Sequence, residues 1–374
     1  MSLLSRLFGR QMPPQPRPLT ETIDFNAPDI AANPYPHWAV LRALGPVHHL
    51  PATGGWMVLG YDAVKEALAR PDLFSNASYR DVDAVLLGED PPRQAEVRRL
   101  ISRHFTPDAL VRLEGTAARA ARAATGPRFD AVAGFAQPVS RAVAADLIGF
   151  DAATLRALAA AIDAVAGEPL PALLAALEEF GPRAALYKQL LRDGEGLIGE
   201  EEARSLIRLL WLASNTTTER VIARCILRLV AEPDLQAAIR ADRALMTSYI
   251  EEVMRLHAPE HVLPRVAVAD SVLAGVAIPA GASVFLCVGA ANRDPAEFED
   301  PDALSLARGS KRHLAFGGGI HHCVGAPLAR RVVASALGAM LDSAPTLRAA
   351  EPLDTIPCFA TLTALAPVRI EVST

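Results

Sequence analysis

Near the end of the chain, Phe316-Gly317-Gly318-Gly319-Ile320-His321-His322-Cys323-Val324-Gly325 runs straight into an apolar, alanine-rich stretch from Ala326 to Met340. The glycine-rich part reads as a loop and the alanine-rich part as a helix. A cysteine held at that junction has backbone N–H groups and the positive end of a helix dipole beside it, and both favour thiolate over thiol. From the residues alone three readings stand open. The cysteine could be a small apolar residue, His-His-Cys could be a fragment of a zinc site, or the thiolate could bind a soft or borderline metal. A zinc site normally takes further Cys or His at short spacing, and no such pair lies nearby in the sequence.

The chain has 374 residues, enough to bury a large core, with 51% hydrophobic and 21% charged residues. That balance is globular and excludes a disordered chain. The net charge of -5 carries no basic signature for nucleic acid. Met1 to Arg10 offers only a brief apolar patch, far short of the ~20 residues that span a bilayer, so no membrane anchor is expected. Cys225, Cys287, Cys323 and Cys358 are widely separated and form no disulfide framework, which points to a reducing cytoplasm.

Taken in order, residues 1–30 read as an irregular, proline-containing arm, and length alone suggests ~2 to 3 domains as a weak prior. A helix is expected from Tyr35 to Leu44, ended by Gly45-Pro46, then a short strand at Trp56-Met57-Val58-Leu59 and a helix from Ala63 to Ala69. Asp90-Pro91-Pro92 leads into a helix over Arg93 to Phe105, whose Arg98, Arg99 and Arg103 could be a solvated face. From Ala109 to Leu177 alanine predominates at helical spacing, with breaks at Gly126-Pro127, Gly149 and Gly167. Glu200 to Leu229 predicts one long helix with a polar centre, Ala213-Ser214-Asn215-Thr216-Thr217-Thr218, whose hydroxyls could simply bond back to the preceding turn. Glu252 and Arg255, three apart, share a helical face and could be an ordinary surface pair. Short strands and turns are expected around Val266 to Val268, Gly275 to Gly281 and Val368 to Ile370.

Phe-Gly-x-Gly-x-His-x-Cys-x-Gly, filled here by Phe316, Gly317, Gly319, His321, Cys323 and Gly325, resembles the haem-binding loop of the cytochrome P450 family. The likeness extends from Asn33 to the last strand, with the family's motifs in their usual order. It implies a mainly α fold with small β-sheets, the cytochrome P450 fold, formed as a single domain by residues 31–374. It also implies haem b as cofactor with Cys323 as iron ligand, and Arg98, Arg265 and His321 paired with the haem propionates. Gln94 falls where many members carry histidine, and its amide can donate to a carboxylate in the same way. Glu252-x-x-Arg255 matches a buried pair that joins the later meander segment. Ala291 to Pro295 and Phe298 to Asp302 resemble the segments that follow, with Leu304 in place of the usual phenylalanine.

The centre of the long helix departs from the family. Ala213 to Thr217 aligns with Ala-Gly-x-acid-Thr, but Ser214 replaces the glycine and Thr216 replaces the acid. The family's acid–alcohol pair relays protons during oxygen activation. Thr216 can pass a proton along but cannot supply one at neutral pH. Thr217 is retained, and Asn215 or Glu219 could organise water.

The resemblance implies a haem-thiolate monooxygenase that takes electrons from a ferredoxin-type partner, and the charges of Arg99, Arg103, Lys311 and Arg312 are expected to present a basic patch to an acidic partner. The segments that would cover the pocket, Phe74 to Glu89 and Gly149 to Ala213, are short. Short covers fit an open mouth, a bulky substrate or one delivered on a carrier protein. The Ala, Leu and Pro content of Asp151 to Gly194 favours an apolar small molecule. Two alternatives remain at this point. One is an atypical enzyme using peroxide or catalysing coupling, dehydration or rearrangement, and the other is a non-enzymatic haem-binding or sensor protein.

Overall fold

The computed structural model describes residues 19–25, 27, 30, 33–81, 85–163, 169–308, 312–351 and 368–373. The longer helices are α1 (Tyr35–Leu44), α2 (Tyr61–Ala69), α3 (Arg93–Ser102), α4 (Pro107–Ala124), α5 (Gln137–Ile148), α6 (Ala152–Asp163), α7 (Pro169–Phe180), α8 (Ala185–Asp193), α9 (Glu200–Ala231), α10 (Pro233–Ala241), α11 (Leu245–Leu256) and α12 (Ala326–Ser343). The strands are β1 (Val47–Leu50), β2 (Gly55–Val58), β3 (Phe74–Ser75), β4 (Arg128–Asp130), β5 (Leu263–Ala267), β6 (Ser271–Leu273), β7 (Val276–Ile278), β8 (Ser283–Leu286), β9 (Thr346–Ala349) and β10 (Arg369–Ser373). They make one sheet of order β1-β2-β8-β5-β3, a second of order β4-β10-β9 and a β6-β7 hairpin. The fold is mainly α with small sheets, as the sequence predicts.

Local chemistry explains where the helices begin and stop. Thr106 caps α4 by accepting from the Ala109 N–H at 3.2 Å, with Pro107 behind it. Glu202 accepts from the Gly199 N–H at 2.9 Å, and Glu200, Glu201 and Glu202 place negative charge in the first turn of α9. Gly149 ends α5 at φ +77°, a left-handed conformation suited to glycine.

Two expectations are corrected. The stretch expected to be irregular up to residue 30 contains a short helix, Leu19–Thr22, followed by a buried Ile23 and by Phe25 stacked on Trp38 at 6.0 Å. Its aromatic anchor holds it to α1. The alanine-rich run is not helix throughout, because Arg128–Asp130 forms a strand after the Gly126-Pro127 break and pairs with β10, Arg369 opposite Asp130. A partner 239 positions away overrides local helix propensity. The break expected at Gly167, together with Cys358, lies outside the described residues.

The largest core cluster lies where α4, α5, α9 and α12 meet, around Leu113, Phe135, Ile222, Ile226 and Leu337. Phe135 is fully buried, worth about 1.5–3 kcal/mol relative to an exposed ring. The central helix α9 is buried on most sides but not along one line. Ala213 is exposed and Leu209, Thr216, Thr217 and Arg220 are partly accessible. These residues recur at helical spacing and so share one accessible face, the cleft face of the helix.

Candidate active site

The loop that precedes α12 is held from both ends. The Cys323 N–H donates to the Phe316 carbonyl at 2.9 Å, and the Gly317 N–H donates to the Leu314 carbonyl at 2.8 Å. Gly319 has φ +60°, and a Cβ there would stand 2.0 Å from the Leu68 carbonyl oxygen. The loop is therefore pressed on α2 closely enough to require glycine. Gly325 differs, since an added Cβ would meet Cys323 Sγ at 3.8 Å and the Phe105 ring at 3.9 Å, both ordinary contacts.

Cys323 Sγ accepts from the N–H groups of Gly325 and Ala326, and Arg98 and Arg330 add positive charge nearby. Burial nevertheless pushes the thiol up overall, which corrects the expectation that the helix start alone would favour thiolate. The residue is exposed by surface area although protein crowds most of its surroundings. That combination marks a side chain on the wall of a cleft. A metal ion would bind the thiolate and overcome the burial cost.

Three basic side chains face the same wall. Arg265 lies on β5, opposite Val284 of β8, and is itself buried, with one guanidinium bond to the Pro264 carbonyl at 2.8 Å. Arg98 of α3 donates to the His322 carbonyl at 2.6 Å. His321 is pushed down to about 4, first by burial and then by the Arg265 and Arg98 charges, with Asp90 opposing. Its Nε2 is buried and has no protein partner. Two guanidinium groups and an unsatisfied ring nitrogen at one place form a donor set for carboxylates. Haem propionates fit that set, and the Cys323 sulfur fits the iron. Gln94 contributes differently from expectation: its side-chain amide is buried and donates to the Ile320 carbonyl at 2.9 Å, bracing the loop.

The proximal side is tied together by two buried carboxylates. Arg255 reaches Glu252 through Nε at 2.7 Å and Nη2 at 2.9 Å. It also donates to the carbonyls of Asn292, Pro301 and Ala303. Glu252 accepts from the Ser305 N–H and from Arg308 as well. This is the buried, meander-joining arrangement expected from sequence, and an ordinary surface pair is ruled out by the near-zero exposure of Arg255. The neighbouring Glu251 accepts from Arg330 at 2.7 Å and contacts His313 at 3.2 Å, and Arg330 lies 4.4 Å from the centre of the Phe316 ring. Sequence reasoning missed Glu251, His313 and Arg330. The available signals were Glu251 beside Glu252 and Arg330 two helical turns after Cys323.

Across the cleft, the polar centre of α9 divides by face. Ser214, Thr216 and Thr217 donate back along the helix to Leu210, Leu212 and Ala213 at 2.6, 2.8 and 2.6 Å. Ala213, Thr216 and Thr217 lie on the cleft face. Asn215 does not: it is buried and accepts from the Ser140 hydroxyl of α5 at 2.8 Å. Glu219, one turn on, accepts from Gln137 of α5 at 3.3 Å. The expectation that Asn215 could organise water for Thr217 is corrected, because it is buried against α5, whereas Glu219 is partly accessible and bonds Gln137 through one carboxylate oxygen. Arg220, which sequence reasoning passed over, follows Thr216 by four positions on the cleft face and pairs with Glu260 at 3.1 Å.

Of the basic patch expected for a redox partner, Arg99 and Arg103 are exposed and line a 410 Å³ surface cleft, but Glu96, Asp193 and Glu195 share it. Arg312 is exposed and lies 3.5 Å from Glu297, and Lys311 lies outside the described residues. This cleft holds none of the cysteine-loop residues and is a separate surface feature.

Comparison with known proteins agrees with this architecture. The cytochrome P450 family profile matches residues 183–343. The cytochrome P450 monooxygenase PikC of Streptomyces venezuelae is 33% identical over 356 residues, covering 85% of this chain and 86% of that protein. The structure of CYP109E1 from Bacillus megaterium in complex with testosterone superposes with a TM-score of 0.82 at 27% identity, covering 92% of this chain and 99% of that one. P450BioI, solved with an acyl carrier protein ligated to hexadec-9Z-enoic acid, superposes with a TM-score of 0.77 at 25% identity, covering 92% and 100%. The chain belongs to the cytochrome P450 family, whose members are haem b oxidoreductases of the monooxygenase kind.

Proposed function

We propose that this chain oxidises a predominantly apolar small molecule at a haem held by Cys323. The observation that carries the reading is the convergence of Arg98, Arg265 and the unpartnered His321 Nε2 beside the amide-cradled Cys323 sulfur. Arg98, Arg265 and His321 hold the propionates, and Phe316, Gly317, Gly319 and Gly325 shape the loop. Glu252 and Arg255 brace the segment behind it. A thiolate-bound haem supplies the redox chemistry that inserts oxygen from O2 into substrate. On the opposite wall Ala213 leaves room, and the Thr217 hydroxyl, which donates to the Ala213 carbonyl, accepts from a proton donor or a water beside the substrate.

Electrons come from a ferredoxin-type protein docking on the exposed Arg99 and Arg103, and the enzyme works in the cytoplasm. Among the described residues no helix is long and apolar enough to cross a membrane. The carrier-bound complex of P450BioI supports a substrate presented on a carrier protein as one form of delivery.

A second reading rests on Thr216, whose hydroxyl is engaged with Leu212 and which brings no titratable group to the cleft face. On that reading the chain is an atypical member using peroxide or catalysing coupling, dehydration or rearrangement. Reduced protein under carbon monoxide tests the first proposal. A red-shifted thiolate band lost in Cys323→Ala supports it, and a histidine-type band overturns it. Turnover with ferredoxin and O2 against turnover with hydrogen peroxide separates the two readings.

A further inference from the structure

We infer that Glu260, with Tyr79 beside it, is the anchor for a basic nitrogen on the substrate. The inference rests on the proposed haem-thiolate pocket and names the chemistry of what that pocket takes.

Arg220 lies on the cleft face of α9, one turn beyond Thr216 and Thr217. Its Nη1 donates both to Glu260 Oε1 at 3.1 Å and to the Pro259 carbonyl at 2.9 Å. The two partners are not equally open. The Arg220 side chain is 13% exposed and the Glu260 side chain 35%, so the carboxylate is the more accessible charge of the pair. Glu260 leads into β5, which carries Arg265, and Leu263 lies 3.7 Å from a Cβ placed on Gly317. The carboxylate therefore stands on a wall shared with the cysteine loop.

Burial pushes the Glu260 carboxyl up, and the Coulomb attraction and hydrogen bond of Arg220 offset this only in part. Among the described residues Arg220 is the only cation that bonds it. A carboxylate crowded by protein and bonded through one oxygen gains from a second donor or cation. The β3–β5 pairing sets Ser75 opposite Val266, and the turn Asn76–Tyr79 continues from it back along β5 toward Glu260, ending on the aromatic ring of Tyr79. Burial pushes its hydroxyl up to about 12, with Arg265 opposing and Glu260 adding. A carboxylate beside an aromatic ring is the combination that recognises an ammonium group. A carboxylate-bearing substrate would instead meet Glu260 first and be repelled. The apolar character expected of the substrate is kept, with one basic nitrogen added.

The test uses haem-loaded protein and three probes of one chain length, decyltrimethylammonium, decanol and decanoate, with binding read by calorimetry. The quaternary nitrogen cannot ligate iron, so its affinity reports the protein wall. The expected order places the cation at least tenfold tighter than decanol, with decanoate weakest. Glu260→Gln should weaken the cation by about tenfold or more, leave decanol within about twofold and strengthen decanoate, because Arg220 is then uncompensated. Tyr79→Leu should weaken the cation and spare decanol. Decanoate binding tightest to the unaltered protein, an unchanged cation-to-decanol ratio in both variants, or no binding of any probe would each overturn the inference. A thiolate-type carbon monoxide spectrum with an unmoved ratio sinks this inference alone. A histidine-type spectrum sinks the haem-thiolate proposal instead.

Discussion

The Thr216 hydroxyl donates to the Leu212 carbonyl oxygen at 2.8 Å, back along its own helix, where the family's pattern has an acid. The hydroxyl is thereby engaged and the cleft face of α9 has no group there that can supply a proton at neutral pH. Thr216→Glu should raise the fraction of electrons that end in product during O2-driven turnover, since a placed general acid contributes roughly 10²–10⁴-fold to a rate. Peroxide-driven turnover should change little, and Thr216→Ala should resemble the unaltered protein. The check is the ratio of product to electrons consumed. An unchanged ratio in Thr216→Glu would remove the deficient-relay account of this position.

The Glu252 and Arg255 pair is buried and satisfied at both ends, so removing one partner leaves an uncompensated charge. Arg255→Leu should cost about 3–5 kcal/mol, read as a lowered midpoint of denaturant unfolding. Arg255→Lys should rescue little, because three carbonyls and two carboxylate oxygens are arranged around a planar fork.

Much of this proximal architecture is legible in the sequence, because its residues act through short, fixed spacings. The loop glycines, Cys323 and Glu252-x-x-Arg255 each sit within one turn or helix, and the helix starts follow from Thr106, Pro107 and Glu200 to Glu202. What escaped was set by partners far along the chain. Asn215 sits within the polar run that reads as a cleft lining, but Ser140 of α5 holds it. The strand at Arg128–Asp130 exists because β10 lies beside it. Arg220 was visible as the residue four positions after Thr216, but its meaning depends on Glu260, 40 positions further on.

Glu251 links stability to pH. Burial alone would raise its carboxyl, but hydrogen bonds and charge from His313 and Arg330 outweigh it and hold the group at about 2, against an ordinary 4.5. A carboxylate depressed on folding contributes stability that is fully present above its unfolded value. That contribution is lost as pH falls from about 4.5 through about 2. It is worth about 3 kcal/mol. Glu251→Gln should therefore lower stability at pH 7 and flatten the acid limb relative to the parent. Unfolding curves from pH 7 to pH 2 that stay parallel for the two proteins would refute the assignment.

The glycines of the cysteine loop should separate under one and the same substitution. At Gly319 the backbone is left-handed, at φ +60°, and a new methyl group would lie 2.0 Å from the Leu68 carbonyl oxygen. The backbone term alone costs about 1–2 kcal/mol, and the clash with main-chain atoms forces the loop off α2. At Gly325 the backbone is ordinary, and the methyl group would meet Cys323 Sγ and Phe105 at 3.8 and 3.9 Å. Gly319→Ala should lower the thermal midpoint by several degrees, whereas Gly325→Ala should leave it within a degree or two. Because Gly319 adjoins His321 and the Gln94 bond to Ile320, the first variant should also bind haem less tightly, read by transfer of haem to a scavenging protein. Equal thermal midpoints for the two variants would show that the loop does not depend on its contact with Leu68.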